Sequence, residues 1–146
     1  MRVRGFTLFE MLAVILLIGL AAAAVSIPVT QGLASARVNA ASGELAAALR
    51  YTRTQAIVKG ESQALEVNVN AATYRPPGKG DVHLPRDMRV AITSAREDQA
   101  NATTGRIRFF PDGSSTGGRI TLKRGQREWH VNVGWLTGAV SVVAPR

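Results

Sequence analysis

Apolar and polar positions follow three successive regimes along this chain. Residues 6–27 are apolar apart from Thr7, Glu10 and Ser26, close to the roughly 20 residues that a helix needs to cross a bilayer. From Leu33 the pattern becomes helical. Leu45, Leu49, Thr52 and Ala56 recur at helical spacing and are predicted to face a core, while Arg37, Glu44, Arg50 and Arg53 are predicted to stay in water. Pro28 lacks the amide that a helix ladder requires and disfavours helical geometry at Ile27, so it is the predicted kink. Gly32 and Gly43 weaken the second half, and Gly60 is a natural carboxy-terminal cap. A helix over 6–59 would be about 80 Å long at 1.5 Å per residue. That is too long to be buried in so small a domain, so its first half must be covered by lipid or by other subunits.

Beyond Gly60 the period falls to two. Leu65, Val67 and Val69 alternate with Glu66, Asn68 and Asn70, and Trp129, Val131 and Val133 alternate with Glu128, His130 and Asn132. Further strands are predicted around Tyr74 and over 82–84, 88–92, 106–110, 119–122 and 139–143, separated by turn signals at Asn70-Ala71-Ala72, Pro76-Pro77-Gly78 and Gly125. Residues 93–105 carry no apolar side chain larger than alanine and are predicted to form a mobile loop. The expected fold class is α+β: one long amino-terminal helix followed by antiparallel strands, arranged as a sandwich or packed on the helix. With 146 residues there is room for one small core besides the helix.

The amino terminus carries the most specific signal. Met1-Arg2-Val3-Arg4-Gly5 is basic and ends in a small residue, and Phe6-Thr7-Leu8-Phe9-Glu10 leads directly into the apolar segment. An ordinary secretory signal is cut after its apolar stretch. Here the expected cut lies before it, between Gly5 and Phe6, leaving the apolar segment in the mature protein. Glu10 is costly at a membrane helix, by about 2.5 to 3.5 kcal/mol for an acidic side chain at the helix centre and less near the interface. After cleavage the Phe6 amine would lie about one helical turn away. Glu10 of an incoming subunit could then neutralise the Phe6 amine of a neighbour and set an assembly register. Arg2 and Arg4 predict a cytoplasmic amino terminus and an exported body.

This segment resembles the class III signal of type IV pilins and type II secretion pseudopilins. The resemblance implies that a prepilin peptidase cleaves after Gly5 and methylates Phe6, and that Glu10 is the assembly carboxylate. A second resemblance lies in Phe110-Pro111-Asp112-Gly113-Ser114-Ser115-Thr116-Gly117-Gly118-Arg119 and Trp129-His130-Val131-Asn132-Val133-Gly134-Trp135-Leu136-Thr137-Gly138. It is to the H-type minor pseudopilins of type II secretion (the GspH family), whose domain is shared with FimT/FimU-type minor type IV pilins. The implied organisation is a leader at 1–5, a membrane half-helix at 6–27, a periplasmic half-helix at 28–59 and a periplasmic β-rich domain at 60–146. The implied role is structural: a subunit of the pseudopilus tip, held in the bacterial inner membrane by a single span. Its partners would be other minor and major pseudopilins, the prepilin peptidase/methyltransferase and inner-membrane lipid.

Composition narrows the chemistry. There is no cysteine, so disulfides, thiolate metal sites and cysteine nucleophiles are excluded. His83 and His130 stand apart, which disfavours a zinc site. The Gly113 to Gly118 run lacks the Gly-Lys-Ser/Thr ending of a phosphate loop, and no serine sits in a nucleophile elbow. No catalytic residue, metal or cofactor is expected. The net charge of +8, reduced by two to +6 if Arg2 and Arg4 leave with the leader, permits several acidic partners and selects none. Arg106, Arg108, Arg119, Lys123, Arg124 and Arg127 would form a basic patch if strand pairing gathered them. That patch would suit the alternative reading, a minor type IV pilin that takes part in pilus assembly or captures DNA. A solvated, solubilising surface is the favoured reading of these charges.

Overall fold

The computed structural model of the chain describes residues 7–94, 99–101 and 103–145, with the side chains of 25–34 and 99–101 outside the description. Helix α1 spans Leu8–Lys59. Among the described residues nine strands follow: β1 (Gln63–Asn68), β2 (Thr73–Arg75), β3 (Val82–His83), β4 (Arg89–Ser94), β5 (Gln99–Asn101), β6 (Thr104–Phe109), β7 (Gly118–Arg124), β8 (Arg127–Val133) and β9 (Val140–Val143). The chain forms two compact units, Met1–Ala36 and Arg37–Arg146, and α1 contributes to both. The helix continues across Pro28, the predicted kink. A proline removes one amide from the ladder, and its neighbours can still carry the helix on.

In the second unit the strands form two antiparallel sheets, ordered β3-β2-β1-β6-β5 and β4-β7-β8-β9. Both turn alternate residues toward one core. Leu65 and Val67 of β1 and Ile107 and Phe109 of β6 come from the first sheet; Ile120, Leu122, Trp129 and Val131 come from the second, and all are buried. The helix supplies Val38, Ala41, Leu45, Ala46, Leu49 and Ala56, with Thr52 fully enclosed among them. The Thr52 hydroxyl donates to the Ala48 carbonyl at 2.8 Å, which allows a polar side chain to be buried there. Trp129 is buried, and its indole N–H donates to Asn39 Oδ1 at 2.6 Å, fixing the second sheet to the start of the folded half of α1.

Two details depart from the sequence reading. The predicted loop at 93–105 holds structure: β4 runs to Ser94, β6 starts at Thr104, and β5 is an edge strand beside β6 with a register shift between Gln99 and Asn101. Pairing of that kind uses backbone groups and needs no apolar side chain, so it leaves no alternation to read. The second departure is Arg53, which is half-buried; its Nε–H donates to the Gly113 carbonyl at 2.9 Å.

Candidate functional site

At the head of α1 the Thr7 side chain acts as the cap. The Glu10 amide donates to Thr7 Oγ1 at 3.3 Å and to the Thr7 carbonyl at 3.1 Å. Glu10 thereby occupies the first turn, where a carboxylate is favoured by the helix dipole. The signal was present in the sequence as Thr-x-x-Glu, the spacing of a capping box, but Thr7 was not among the predicted site residues. Arg2, Arg4, Gly5 and Phe6 lie outside the described residues. Every residue over 7–24 is exposed, including Leu8 at 88% and Phe9 at 83%. An apolar helix exposed on all sides is one that other molecules must cover. Among the described residues no helix is long and apolar enough to cross a membrane. The described exposed stretch stops at Ala24, and Phe6 and the side chains beyond Ala24 complete the predicted span outside it.

The two carboxy-terminal segments, distant in sequence, meet at the end of the folded half of α1. Ser115 joins them: its amide donates to the Trp135 carbonyl at 2.8 Å, its hydroxyl donates to the Gly134 carbonyl at 3.0 Å, and the same oxygen accepts the Gly117 amide at 3.0 Å. Asp112 closes the first turn by accepting from the Ser114 amide at 2.9 Å and hydroxyl at 2.6 Å, bonds that hold its carboxyl below the usual range. Gly138 approaches so closely that a Cβ there would lie 2.2 Å from the Gly113 oxygen. Arg53 completes the junction from the helix through its bond to that same carbonyl.

This knot displays apolar side chains to solvent. Trp135 is 68% and Leu136 is 66% exposed. Ile57 and Val58 on α1 are also exposed. Trp135 lies beside Gly117 and Ile57 beside Gly113, so the apolar residues flank one loop. The two tryptophans thus separate, Trp129 into the core and Trp135 to the surface.

The six basic residues of the predicted patch are divided between two surfaces. Arg106 and Arg108 lie on the outward face of β6 in the first sheet. Arg119 and Lys123 lie on the outward face of β7 in the second, and Arg124 and Arg127 face each other across the β7–β8 hairpin. Several also have acidic partners. Arg106 pairs with Glu66 at 2.8 Å, Lys123 with Glu128 at 2.6 Å, and Arg124 with Asp87. Hydrogen bonding from Lys123 holds the Glu128 carboxyl below its ordinary value. Arg119 donates to Asn132 Oδ1 at 2.7 Å. Among the described residues no group of His, Asp or Glu side chains is placed to hold a metal ion.

A capped apolar helix continuing into a small two-sheet domain defines a pilin-like subunit. Residues 41–137 match the family of type II transport protein GspH, and 1–26 match the prokaryotic amino-terminal methylation motif. The chain belongs to the GspH family. It is 42% identical, over 95% of its own length and 82% of the relative's, to type II secretion system protein H of Xanthomonas campestris. Its fold resembles the minor pseudopilin EpsH of Vibrio cholerae, with a TM-score of 0.61 and 10% identity over 77% of this chain and 99% of that one. It also resembles the type IV minor pilin FimU of Pseudomonas aeruginosa, with a TM-score of 0.55 and 13% identity over 74% and 92% of the two chains.

Proposed function

We propose that this protein is a structural, non-catalytic subunit of the pseudopilus tip, which helps to initiate or cap the filament that drives folded proteins across the outer membrane. The observation that carries this reading is the helix over 7–24, apolar and exposed on every side with Glu10 in its first turn. Before assembly, inner-membrane lipid covers that surface; afterwards, neighbouring pseudopilins do. Arg2 and Arg4 keep the amino terminus cytoplasmic while the β-rich domain is periplasmic. Peptidase cleavage between Gly5 and Phe6, followed by methylation of Phe6, creates the cationic group that Glu10 meets on the next subunit. Pro28 gives the helix a point of bending as it leaves the bilayer. The exposed group of Ile57, Val58, Trp135 and Leu136 meets other minor subunits.

Glu10 has two separable jobs here. Within its own chain it supports the first helical turn, worth about 0.3–1 kcal/mol for a charge at this position. Between chains it supplies charge. Glu10→Gln removes the charge and keeps a polar side chain of the same length, whereas Glu10→Ala removes both and leaves the bond from the residue 10 amide to Thr7 in place. Both variants should be cleaved normally, and both should be lost from pseudopilin complexes recovered from membranes by crosslinking and co-purification. Normal recovery of the Gln variant would show that the charge does not set the register.

A further inference from the structure

Three arginines that are held in no ion pair among the described residues gather away from the predicted basic patch. Two adjoining cavities, of about 760 and 340 Å³, share His83, Leu84 and Arg86. Arg89 lines the larger one, and Arg37 of α1 lines the smaller. Arg37, Arg86 and Arg89 are exposed, and none is held in an ion pair among the described residues. Glu44 is the one acidic side chain among the described residues that line the groove. Apolar walls from Leu84, Met88 and Val90 lie behind the cations. The groove therefore pairs an apolar floor with a cationic rim, a lining suited to an anionic amphiphile.

The chain itself leads from this groove to lipid. Arg37 follows Ile27, the end of the expected membrane segment, by only ten residues. We propose that this groove binds the headgroup phosphate of an anionic phospholipid in the outer leaflet of the inner membrane. It would thereby tether the folded domain to the bilayer while the subunit waits to be assembled. The proposal rests on the membrane reading of 6–27. The arginines supply the phosphate contacts and His83 stands at the junction of the two cavities. Extraction into the filament removes the lipid and frees the domain.

The test uses the full chain reconstituted into nanodiscs of phosphatidylcholine, alone or mixed with phosphatidylglycerol, with hydrogen exchange followed over 37–41 and 82–90. Phosphatidylglycerol should slow exchange in both segments. High salt should abolish the effect, and Arg86→Gln and Arg89→Gln should each reduce it about fivefold, the factor matching about 1 kcal/mol for one basic side chain at an anionic surface. Arg119→Gln with Lys123→Gln should leave it unchanged, and unchanged exchange in β1 and β6 verifies that every variant is folded. Equal exchange in the two lipid mixtures, in discs that do contain the chain, would overturn the tether and leave the membrane reading standing. Failure of the chain to enter either disc would overturn both. Protection reproduced by inorganic phosphate in phosphatidylcholine discs would make the groove a site for soluble anions and overturn the lipid assignment.

Discussion

Gly138→Ala tests the junction between the two carboxy-terminal segments. Gly138 has φ of 63°, and an added Cβ would lie 2.2 Å from the Gly113 oxygen and 2.8 Å from Arg53 Nε. Two penalties follow. The left-handed backbone conformation costs an alanine about 1 kcal/mol. The clash then forces the Gly113 turn away from Gly138 and breaks the Arg53 hydrogen bond to its carbonyl, worth about 1.5–3 kcal/mol because the donor is charged. The total is about 3 kcal/mol, a large part of the roughly 5–15 kcal/mol that stabilises a domain. Gly60→Ala is the control: its φ is 66°, and an added Cβ meets nothing within 4 Å, so only the backbone penalty applies. At about 4 °C per kcal/mol for a domain of this size, thermal unfolding of the detergent-solubilised full chain should fall by about 12 °C for Gly138→Ala. For Gly60→Ala the same scale gives about 4 °C. Tryptophan fluorescence suits the measurement, since Trp129 is buried in the core. Equal shifts for the two variants would refute the account of the Gly113, Arg53 and Gly138 contact.

Gly43 sits inside α1, is exposed, and has open space where a Cβ would go, so Gly43→Ala should stabilise the domain by about 0.5–1 kcal/mol in urea titration. Trp135→Ala with Leu136→Ala should leave thermal unfolding nearly unchanged, because both side chains are exposed, yet should reduce recovery of partner pseudopilins in co-purification about tenfold or more, as expected for an interface anchor. Hydrogen bonding to Arg75, Ser114 and Lys123 holds Asp81, Asp112 and Glu128 respectively below their ordinary values. The unfolded chain therefore binds protons first, so the stability from these groups is present above the usual carboxylate range and is lost as pH falls through it toward the folded values. The urea midpoint should fall on acidification, and less steeply in Asp112→Asn; a midpoint that rises in acid would contradict the sign.

Burial periodicity made the central parts of the fold legible. Leu45, Leu49, Thr52 and Ala56 are buried at helical spacing, and Leu65, Val67, Trp129, Val131 and Val133 are buried at alternate strand positions. The antiparallel, pilin-like fold follows the sequence reading closely. Strand β5 was not legible because its pairing is carried by backbone groups. Arg53 leaves the wet position that its spacing predicts, because helical spacing says which face a residue occupies and nothing about a carbonyl sixty positions away that it can reach. The same limit applies to the groove: Arg37, Arg86 and Arg89 are ordinary surface arginines in sequence, and only the packing of α1 beside the 82–89 segment makes them neighbours. The six basic residues chosen from strand positions show the converse, since adjacency along the chain distributed them over two sheets. Thr7 is legible in the sequence from its Thr-x-x-Glu spacing to Glu10.

The family resemblance in 110–138 also acquires a physical meaning. Gly113, Gly117 and Gly138 all have positive φ, and Cβ atoms at these positions would run into Arg53, Trp135 or the Gly113 oxygen. Ser115 satisfies backbone groups inside so tight a junction, and Asp112 closes the exposed turn before it. These residues are thus required by close approach of two loops and a helix, and they report a fold rather than a binding chemistry. What the junction presents outward is a different matter. Trp135 and Leu136 have no part in closing it through their side chains, yet their backbones are fixed at its centre by the bond from Ser115 and the turn closed by Gly138. A bulky apolar pair held out on a rigid turn loses little conformational freedom on docking. The selectivity of this subunit for its neighbours should therefore lie in the side chains at 135 and 136, while the glycines around them determine only that they are held still.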